Sequence, residues 1–187
     1  VVIVAFLLAF VSSSLKDKQN ENVELDKKKQ ILSALNVDLA DADVAQLYSD
    51  IVKQEPLLSA EGTVIAETGA FGIDSKQENA KPLAERNLPL FVCQVDSATK
   101  YVLPVYGAGL WGPIWGYIAL NDDKSTIYGV YFSHAGETPG LGAEIAAAPF
   151  QNQFTASPKQ IMRNGEFTSI GVVKAGKVDE NRDYVNA

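Results

Sequence analysis

The segment at residues 134–142, His-Ala-Gly-Glu-Thr-Pro-Gly-Leu-Gly, combines polar side chains with a backbone that can approach a ligand closely. Three glycines and one proline occur in these nine residues, between a predicted strand and a predicted helix. Glycine brings backbone N–H groups within reach of a ligand, and a helix start favours a phosphate or an electron-rich carbonyl. The glycine spacing differs from the dinucleotide-binding fingerprint. By this physics alone, residues 134–142, named the glycine loop below, fit a binding loop and a tight structural turn equally well.

The second unusual segment, residues 106–116, places two tryptophans among four glycines and is named the tryptophan segment. A large flat side chain between small residues can form one wall of a slot for a planar ring. The alternative is a tryptophan that fills core space at a bend. Since most tryptophans are packing residues, the residues alone favour that alternative.

Other reactive residue types are scarce. The single cysteine, Cys93, lies in the apolar run at residues 88–95, and we interpret it as a small core residue. The only histidine, His134, precedes the glycine loop, and we interpret it as structural. One cysteine and one histidine make a zinc site improbable. There is no nucleophile elbow, P-loop or paired-carboxylate motif, so we assign no catalytic residue and no metal site.

Together the two segments resemble a known family. Residues 101–120, followed by residues 137–145, are similar to the FMN-binding domain found in the C subunit of sodium-translocating NADH:quinone oxidoreductases. The Glu-Thr-Pro-Gly-Leu-Gly loop is shared with the G subunit of the related electron-transport complex. The Gly-Leu-Trp-Gly-Pro-Ile-Trp-Gly stretch favours the C subunit, and the resemblance extends over nearly the whole chain.

This resemblance implies an electron-relay subunit that carries FMN, joined through its phosphate to a threonine hydroxyl by a separate flavin transferase. The acceptor belongs to a Ser-Gly-Ala-Thr-x-Thr motif, which does not occur in residues 1–187, so we expect it beyond residue 187. Thr138 and Thr168 lack that context and are not assigned as acceptors. The expected step is one-electron exchange with neighbouring redox centres, with the NADH and quinone sites on other subunits.

The resemblance also implies which residues contact the flavin. Most belong to the two glycine-rich segments, which we expect to converge on a slot for the isoalloxazine ring. Lys174 matches as a cation near the flavin, and a solvated strand end is its equal alternative. The cofactor-binding residues implied in this way are Trp111, Glu137, Thr138, Leu141, Gly142 and Lys174.

Two alternatives stay open. One is the G subunit of the related ferredoxin-linked complex. Its partner subunits would differ, but the physical arguments for the site would change little. The other is a membrane-anchored binding or assembly module without a redox group. The missing Gly-Ala-Thr motif supports that module, and the two glycine-rich segments oppose it.

The composition limits the partners. The 187 residues include 47% hydrophobic side chains, enough for one compact domain with a short appendage. The net charge is −7, from 16 basic and 23 acidic residues, so no basic surface is available for nucleic acid.

The first eleven residues carry no charged or polar side chain. A helix of that length spans only about 16 Å of a bilayer core of about 30 Å. We expect it to be the end of a longer membrane helix, with a signal-peptide core and a buried helix as alternatives. Lysines at residues 16, 18 and 27–29 favour a cytoplasmic domain. The family implies an inner-membrane, single-pass protein with a periplasmic domain, and we follow the family.

Local patterns predict the elements that position these segments. Helical spacing of apolar residues predicts helices at 23–36, 41–54 and, with a kink at Pro149, 142–154. Alternation predicts a hairpin formed by strands 115–121 and 126–134. The other predicted strands are 63–67, 90–96, 100–105 and 169–174. The resulting fold class is α+β: one mixed domain with an antiparallel-rich sheet and flanking helices, preceded by an N-terminal membrane helix. We divide the chain into residues 1–14 (membrane anchor), 15–56 (stalk and packing helices) and 57–187 (FMN-binding-type domain).

Overall fold

The computed structural model describes residues 2–187, apart from the side chains at positions 3, 8 and 12. The α-helices are α1 (Val2–Ala34), α2 (Val44–Ile51), α3 (Ser75–Asn79) and α4 (Ala148–Gln151). The strands are β1 (Val52–Gln54), β2 (Leu57–Leu58), β3 (Val64–Ala66), β4 (Leu88–Pro89), β5 (Phe91–Val95), β6 (Ala98–Ala108), β7 (Pro113–Leu120), β8 (Ile127–His134), β9 (Met162–Arg163), β10 (Glu166–Phe167), β11 (Gly171–Val173) and β12 (Tyr184–Asn186). The 3-10 helices span Ala70–Gly72, Leu83–Glu85, Gly142–Ala146 and Asn152–Phe154.

Helix α1 is one continuous element of 33 residues that joins the apolar N-terminal run to the predicted helix at 23–36. Its sequence contains neither glycine nor proline, so nothing interrupts it. After its last residue, Ala34, the chain turns at Asn36, which has a φ of 56°; the N–H of Val37 donates to Leu32 O and that of Asn36 to Ser33 O. This pair of bonds is the Schellman arrangement that closes helix C-termini. Within residues 2–187, no helix combines the length and apolar content needed to cross a bilayer.

The main sheet has five antiparallel strands in the order β1-β5-β6-β7-β8. Strands β6 and β7 pair without interruption from Tyr101–Leu120 to Ala108–Pro113. Strands β7 and β8 form the predicted hairpin, which the structure confirms. In its turn, one carboxylate oxygen of Asp123 accepts the N–H groups of Ser125 and Thr126.

Helices α1 and α2 cover one face of this sheet. Buried side chains of α1 pack there against alternate residues of the strands. The fully or nearly fully buried members of this cluster include Ile31, Leu32, Leu35, Phe91, Cys93, Val102 and Ala119. The end of α1 is therefore part of the core of the globular domain.

The opposite face of the sheet is covered by the C-terminal third of the chain. Leu120, Ile127 and Val130 pack there with Phe154 and Val185. Three phenylalanine rings, those of residues 132, 150 and 154, have centroids 5.4 to 6.3 Å apart. The α+β class with an antiparallel sheet and flanking helices is thus confirmed.

The predicted helix at 142–154 is wrong. The 3-10 helix Gly142–Ala146 is followed by the single turn of α4 and then by the 3-10 helix Asn152–Phe154. Proline fits only the first turn of a helix, and Pro149 occupies that position in α4. A long helix dipole behind the glycine loop is therefore absent from the described residues.

The three-part division of the chain stays a prediction. Helix α1 crosses the boundary after residue 14 without a break, and β1, in the segment 15–56, pairs with β5, in the segment 57–187.

Candidate functional site

The tryptophan segment and the glycine loop lie at the same end of the main sheet. The tryptophan segment connects β6 to β7, where the N–H of Gly109 donates to Gly112 O at 2.8 Å. The glycine loop begins at His134, which pairs with Ile114 of β7, and the N–H of Ala135 donates to Pro113 O at 3.0 Å. The antiparallel order of β6, β7 and β8 therefore brings together two segments that are separated in the sequence by two strands.

Glu137 connects these two segments through its carboxylate. Its Oε1 accepts the backbone N–H of Trp111 at 2.9 Å, and its own N–H donates to Nδ1 of His134 at 3.1 Å. Only 8% of Glu137 is exposed. A buried acid needs such a partner, because an unpaired buried charge is strongly unfavourable.

Two glycines leave room for the Glu137 carboxylate where the segments meet, and a third sets the backbone conformation of the glycine loop. A Cβ atom at Gly142 would lie 2.5 Å from Oε2 of Glu137, and one at Gly109 would overlap Oε1 of the same carboxylate. Gly140 has a φ of +75°, which favours glycine for conformational reasons. The glycines thus serve two different purposes: space at 109 and 142, and backbone conformation at 140.

Large apolar side chains are exposed at the tips of both segments. Trp111 is 70% exposed and Leu141 72%, and Leu110 beside Trp111 is also exposed. Apolar side chains grouped at one place on a surface are typical of ligand or partner contacts. The core alternative for Trp111 is therefore wrong, whereas Trp115 is partly buried and its Nε1 donates to Oε1 of Gln30 at 3.3 Å.

The glycine loop also offers backbone donors. The carbonyl of Thr138 accepts the N–H groups of Leu141 and Ala143, at 3.1 and 3.2 Å. In the part of the chain that the structure describes, the N–H groups of Thr138 and Gly142 have no acceptor. They can donate to solvent or to the carbonyl edge of a ligand.

An apolar cavity of about 190 Å³ adjoins the tryptophan segment. It is lined by Val105, Tyr106, Gly107, Ile114, Trp115, Phe132 and Ile145. A larger cavity of about 470 Å³ lies near β12, but its two arginines pair with aspartates of the same lining, Arg182 with Asp179 at 2.9 Å and Arg163 with Asp183 at 3.6 Å. We therefore place the candidate site at the two glycine-rich segments.

The structure brings five of the six implied cofactor-binding residues to one place: Trp111, Glu137, Thr138, Leu141 and Gly142. Lys174 is exposed just after β11, and no hydrogen bond or ion pair within residues 2–187 links its side chain to either segment. Its role, like that of the other five, stays a prediction.

His134 and Cys93 occupy structural positions. Nδ1 of His134 accepts the N–H of Glu137, which fixes the start of the glycine loop. Burial raises the pKa of Cys93 to about 12, and the nearby Glu55 adds to the effect. No group of three or more His, Cys, Asp or Glu side chains suited to a metal ion occurs among the described residues.

Two features of the site were missed by the sequence reasoning. The first is that the carboxylate of Glu137 points inward, to the backbone of Trp111. The second is the pair of free N–H groups at Thr138 and Gly142. A side chain that leaves a strand into a loop has no periodic pattern from which its direction could be predicted.

Comparison with known proteins gives consistent results. A family model described as an FMN-binding domain matches residues 109–185. A crystal structure of the C subunit of Na(+)-translocating NADH-quinone reductase from Parabacteroides distasonis is 42% identical, with a TM-score of 0.85 over 92% of this chain and 83% of that one. The structure of Shewanella oneidensis NqrC is 25% identical, with a TM-score of 0.72 over 89% and 84%. The curated C subunit of the Vibrio vulnificus reductase is 26% identical over 94% of this chain and 74% of its own length.

Proposed function

We propose that this chain, which belongs to the family of the C subunit of Na(+)-translocating NADH-quinone reductases, is an electron-relay subunit. Its FMN is proposed to lie between the tryptophan segment and the glycine loop. The family is that of a subunit of an oxidoreductase complex. One observation carries the placement of the flavin. The two segments meet at Glu137, and each exposes a large apolar side chain beside that contact, Trp111 on one and Leu141 on the other.

The residues present fit a flavin. Trp111 and Leu141 offer apolar surface to the faces of a flat ring, and the free N–H groups of Thr138 and Gly142 suit its carbonyl edge. A bound FMN supplies one-electron chemistry, so the chain itself needs no acid or base. Its residues hold the ring, keep water from one side and set the local charge. We do not expect the chain alone to oxidise NADH, because that step is proposed for other subunits.

The linkage of the flavin is part of the same proposal. We expect a phosphoester to a threonine that lies outside residues 1–187, formed by a flavin transferase. Thr138 is not proposed as the acceptor, since it lacks the Gly-Ala-Thr context. Thr168 lacks the expected neighbours as well.

The proposed location is the inner membrane, with a single N-terminal anchor and the domain in the periplasm. Support comes from the exposed apolar side chains along the first half of α1, among them those of Val4, Phe6, Phe10 and Leu15. The packed half of the helix begins near Lys27, which donates to the carbonyls of Phe71 and Ile73. Burial lowers the pKa of Lys27, and Glu55 and Asp74 partly offset this.

Orientation can be tested with a cysteine at an exposed position. Cys93 is buried and should not react, so Ser157→Cys would provide a single reactive thiol. We expect a membrane-impermeant maleimide to label Ser157→Cys through the outer envelope of cells whose inner membrane is intact. Labelling only after lysis of the inner membrane would contradict a periplasmic domain.

The flavin itself is tested by expressing the natural full-length protein with a flavin transferase. We expect a yellow protein whose band fluoresces after denaturing electrophoresis. A colourless band would remove the covalent-carrier proposal.

Placement of the ring needs a matched pair of variants. Trp111→Ala should shift the absorption maximum or the reduction potential of the flavin, because it removes a wall of the slot. Phe167→Ala is the control, since Phe167 is also 70% exposed but lies on β10. Unchanged spectra and potential in Trp111→Ala would show that the ring binds elsewhere.

A further inference from the structure

We propose that Glu137 is a positioning residue: its buried carboxylate sets the distance between the tryptophan segment and the glycine loop, and so the width of the slot. The inference rests on the proposed function only where it concerns bound flavin. The side chain of Glu137 accepts from Trp111 at 2.9 Å, and its backbone N–H donates to His134 at 3.1 Å. One residue thereby joins the end of β8, the glycine loop and the backbone of the tryptophan segment.

The glycines on either side of the carboxylate support this role. Neither Gly109 nor Gly142 has a positive φ, so φ does not require glycine at these positions. What excludes a side chain is space, because a Cβ at Gly142 would lie 2.5 Å from Oε2 and one at Gly109 would overlap Oε1. The carboxylate fills the gap between two backbones, with one oxygen toward each glycine.

The exposed position of Trp111 makes this contact important. With 70% of the residue exposed, packing against the protein holds its indole only weakly. Its backbone is held instead by the bond from its N–H to Glu137. Hydrogen bonds to a charged group are stronger than neutral ones, so the carboxylate is well suited to fix a solvent-exposed ring wall.

Hydrogen exchange at the amide of Trp111 tests the link in flavin-free protein. In Glu137→Ala we expect that amide to exchange at least about tenfold faster, because it loses a charged acceptor. Glu137→Gln keeps an acceptor oxygen of the same reach and should give a smaller increase. Glu166→Gln is the matched control: it removes one charge from an exposed side chain on β10, outside both segments, and should leave the Trp111 amide unchanged. Equal exchange in Glu137→Ala and the unmodified protein would overturn the proposal.

A second variant covers the case in which Glu137→Ala does not fold. Gly142→Ala keeps the Glu137 carboxylate but puts a methyl group 2.5 Å from the present position of Oε2, so the carboxylate must shift and exchange at Trp111 should also accelerate. Far-UV circular dichroism checks that each variant is folded. A folded Gly142→Ala protein with normal protection of Trp111 would contradict the spacing role.

In the flavin-loaded protein, the readout is the visible circular dichroism of the ring, which reports its asymmetric surroundings. We expect the spectrum to change in Glu137→Ala, to be largely restored in Glu137→Gln and to stay unchanged in Glu166→Gln. Faster exchange at Trp111 with an unchanged flavin spectrum would refute the positioning role. Protein that carries no flavin at all would refute the proposed function, while the exchange experiment would still decide whether Glu137 spaces the two segments.

Discussion

Truncating Leu32 should show that the C-terminal half of α1 belongs to the globular domain. Leu32 is 0% exposed and packs between α1 and the sheet. Replacing a fully buried leucine by alanine removes apolar surface that folding had buried and leaves a cavity, and the two effects together cost about 2–5 kcal/mol. For a chain of this length, each kcal/mol lowers Tm by roughly 2–4 °C. Leu32→Ala should therefore lower the free energy of unfolding by about 3 kcal/mol and Tm by roughly 6–12 °C.

The matched control is Phe10→Ala, on the same helix but 64% exposed. Its effect on the free energy of unfolding should stay within about 0.5 kcal/mol, as for most surface changes. Both variants are compared with the unmodified chain by thermal and urea unfolding in one mild detergent. A loss below about 1 kcal/mol in Leu32→Ala, where burial predicts about 2 or more, would refute the reasoning. An equal loss in Phe10→Ala would do so too.

Three further perturbations test the packing and the charges. Because burial raises the pKa of Cys93 to about 12, its thiol should react with a disulfide reagent at pH 8 at least about a thousandfold more slowly in the folded chain than after unfolding; rapid stoichiometric reaction would contradict this. Gly129→Ala puts a methyl group onto a backbone carbonyl of α1 and should cost about 1–3 kcal/mol by urea unfolding, whereas Gly72→Ala, with open space around it, should cost less. The pKa of Glu78 is lowered mainly by the hydrogen bond from Lys81, so the ionised carboxylate stabilises the fold above its ordinary pKa of 4.5, and this stabilisation is lost as the pH falls through the lowered pKa. Glu78→Gln should therefore weaken the decrease of Tm at acid pH. An unchanged dependence of Tm on pH would contradict the importance of that contact.

Features set by short-range patterns were predicted well from the sequence. Strands β7 and β8 alternate clearly, and residues 121–124 supply turn residues between them. Since both glycine-rich segments follow from this meander, their convergence could be expected once the strands were placed. The pairing of β7 with β8, which begins at Ile114 and His134, joins strands that are neighbours in the sequence, so local patterns were enough to predict it.

Features that depend on distant contacts were not predictable in the same way. The alanine-rich stretch after Gly142 has helical propensity, yet Pro149 and packing against β8 divide it into short turns. Strand β12 is too short to show alternation and forms only because it pairs in parallel with β11. The inward direction of Glu137 depends on a partner 26 residues away.

Because α1 is unbroken, it also fixes the rotation angle about the helix axis between the faces of its two halves. Residues 2–22 extend about 30 Å from the packed part, and each residue turns the helix by roughly 100°. Any surface that binds the apolar half therefore fixes the direction in which the slot faces around the helix axis. One residue added between positions 15 and 23 would swing the slot by more than a quarter turn, whereas seven added residues would bring it back to within about 20°. The orientation of the slot relative to the apolar half thus depends more on the number of residues between them than on the identity of those residues.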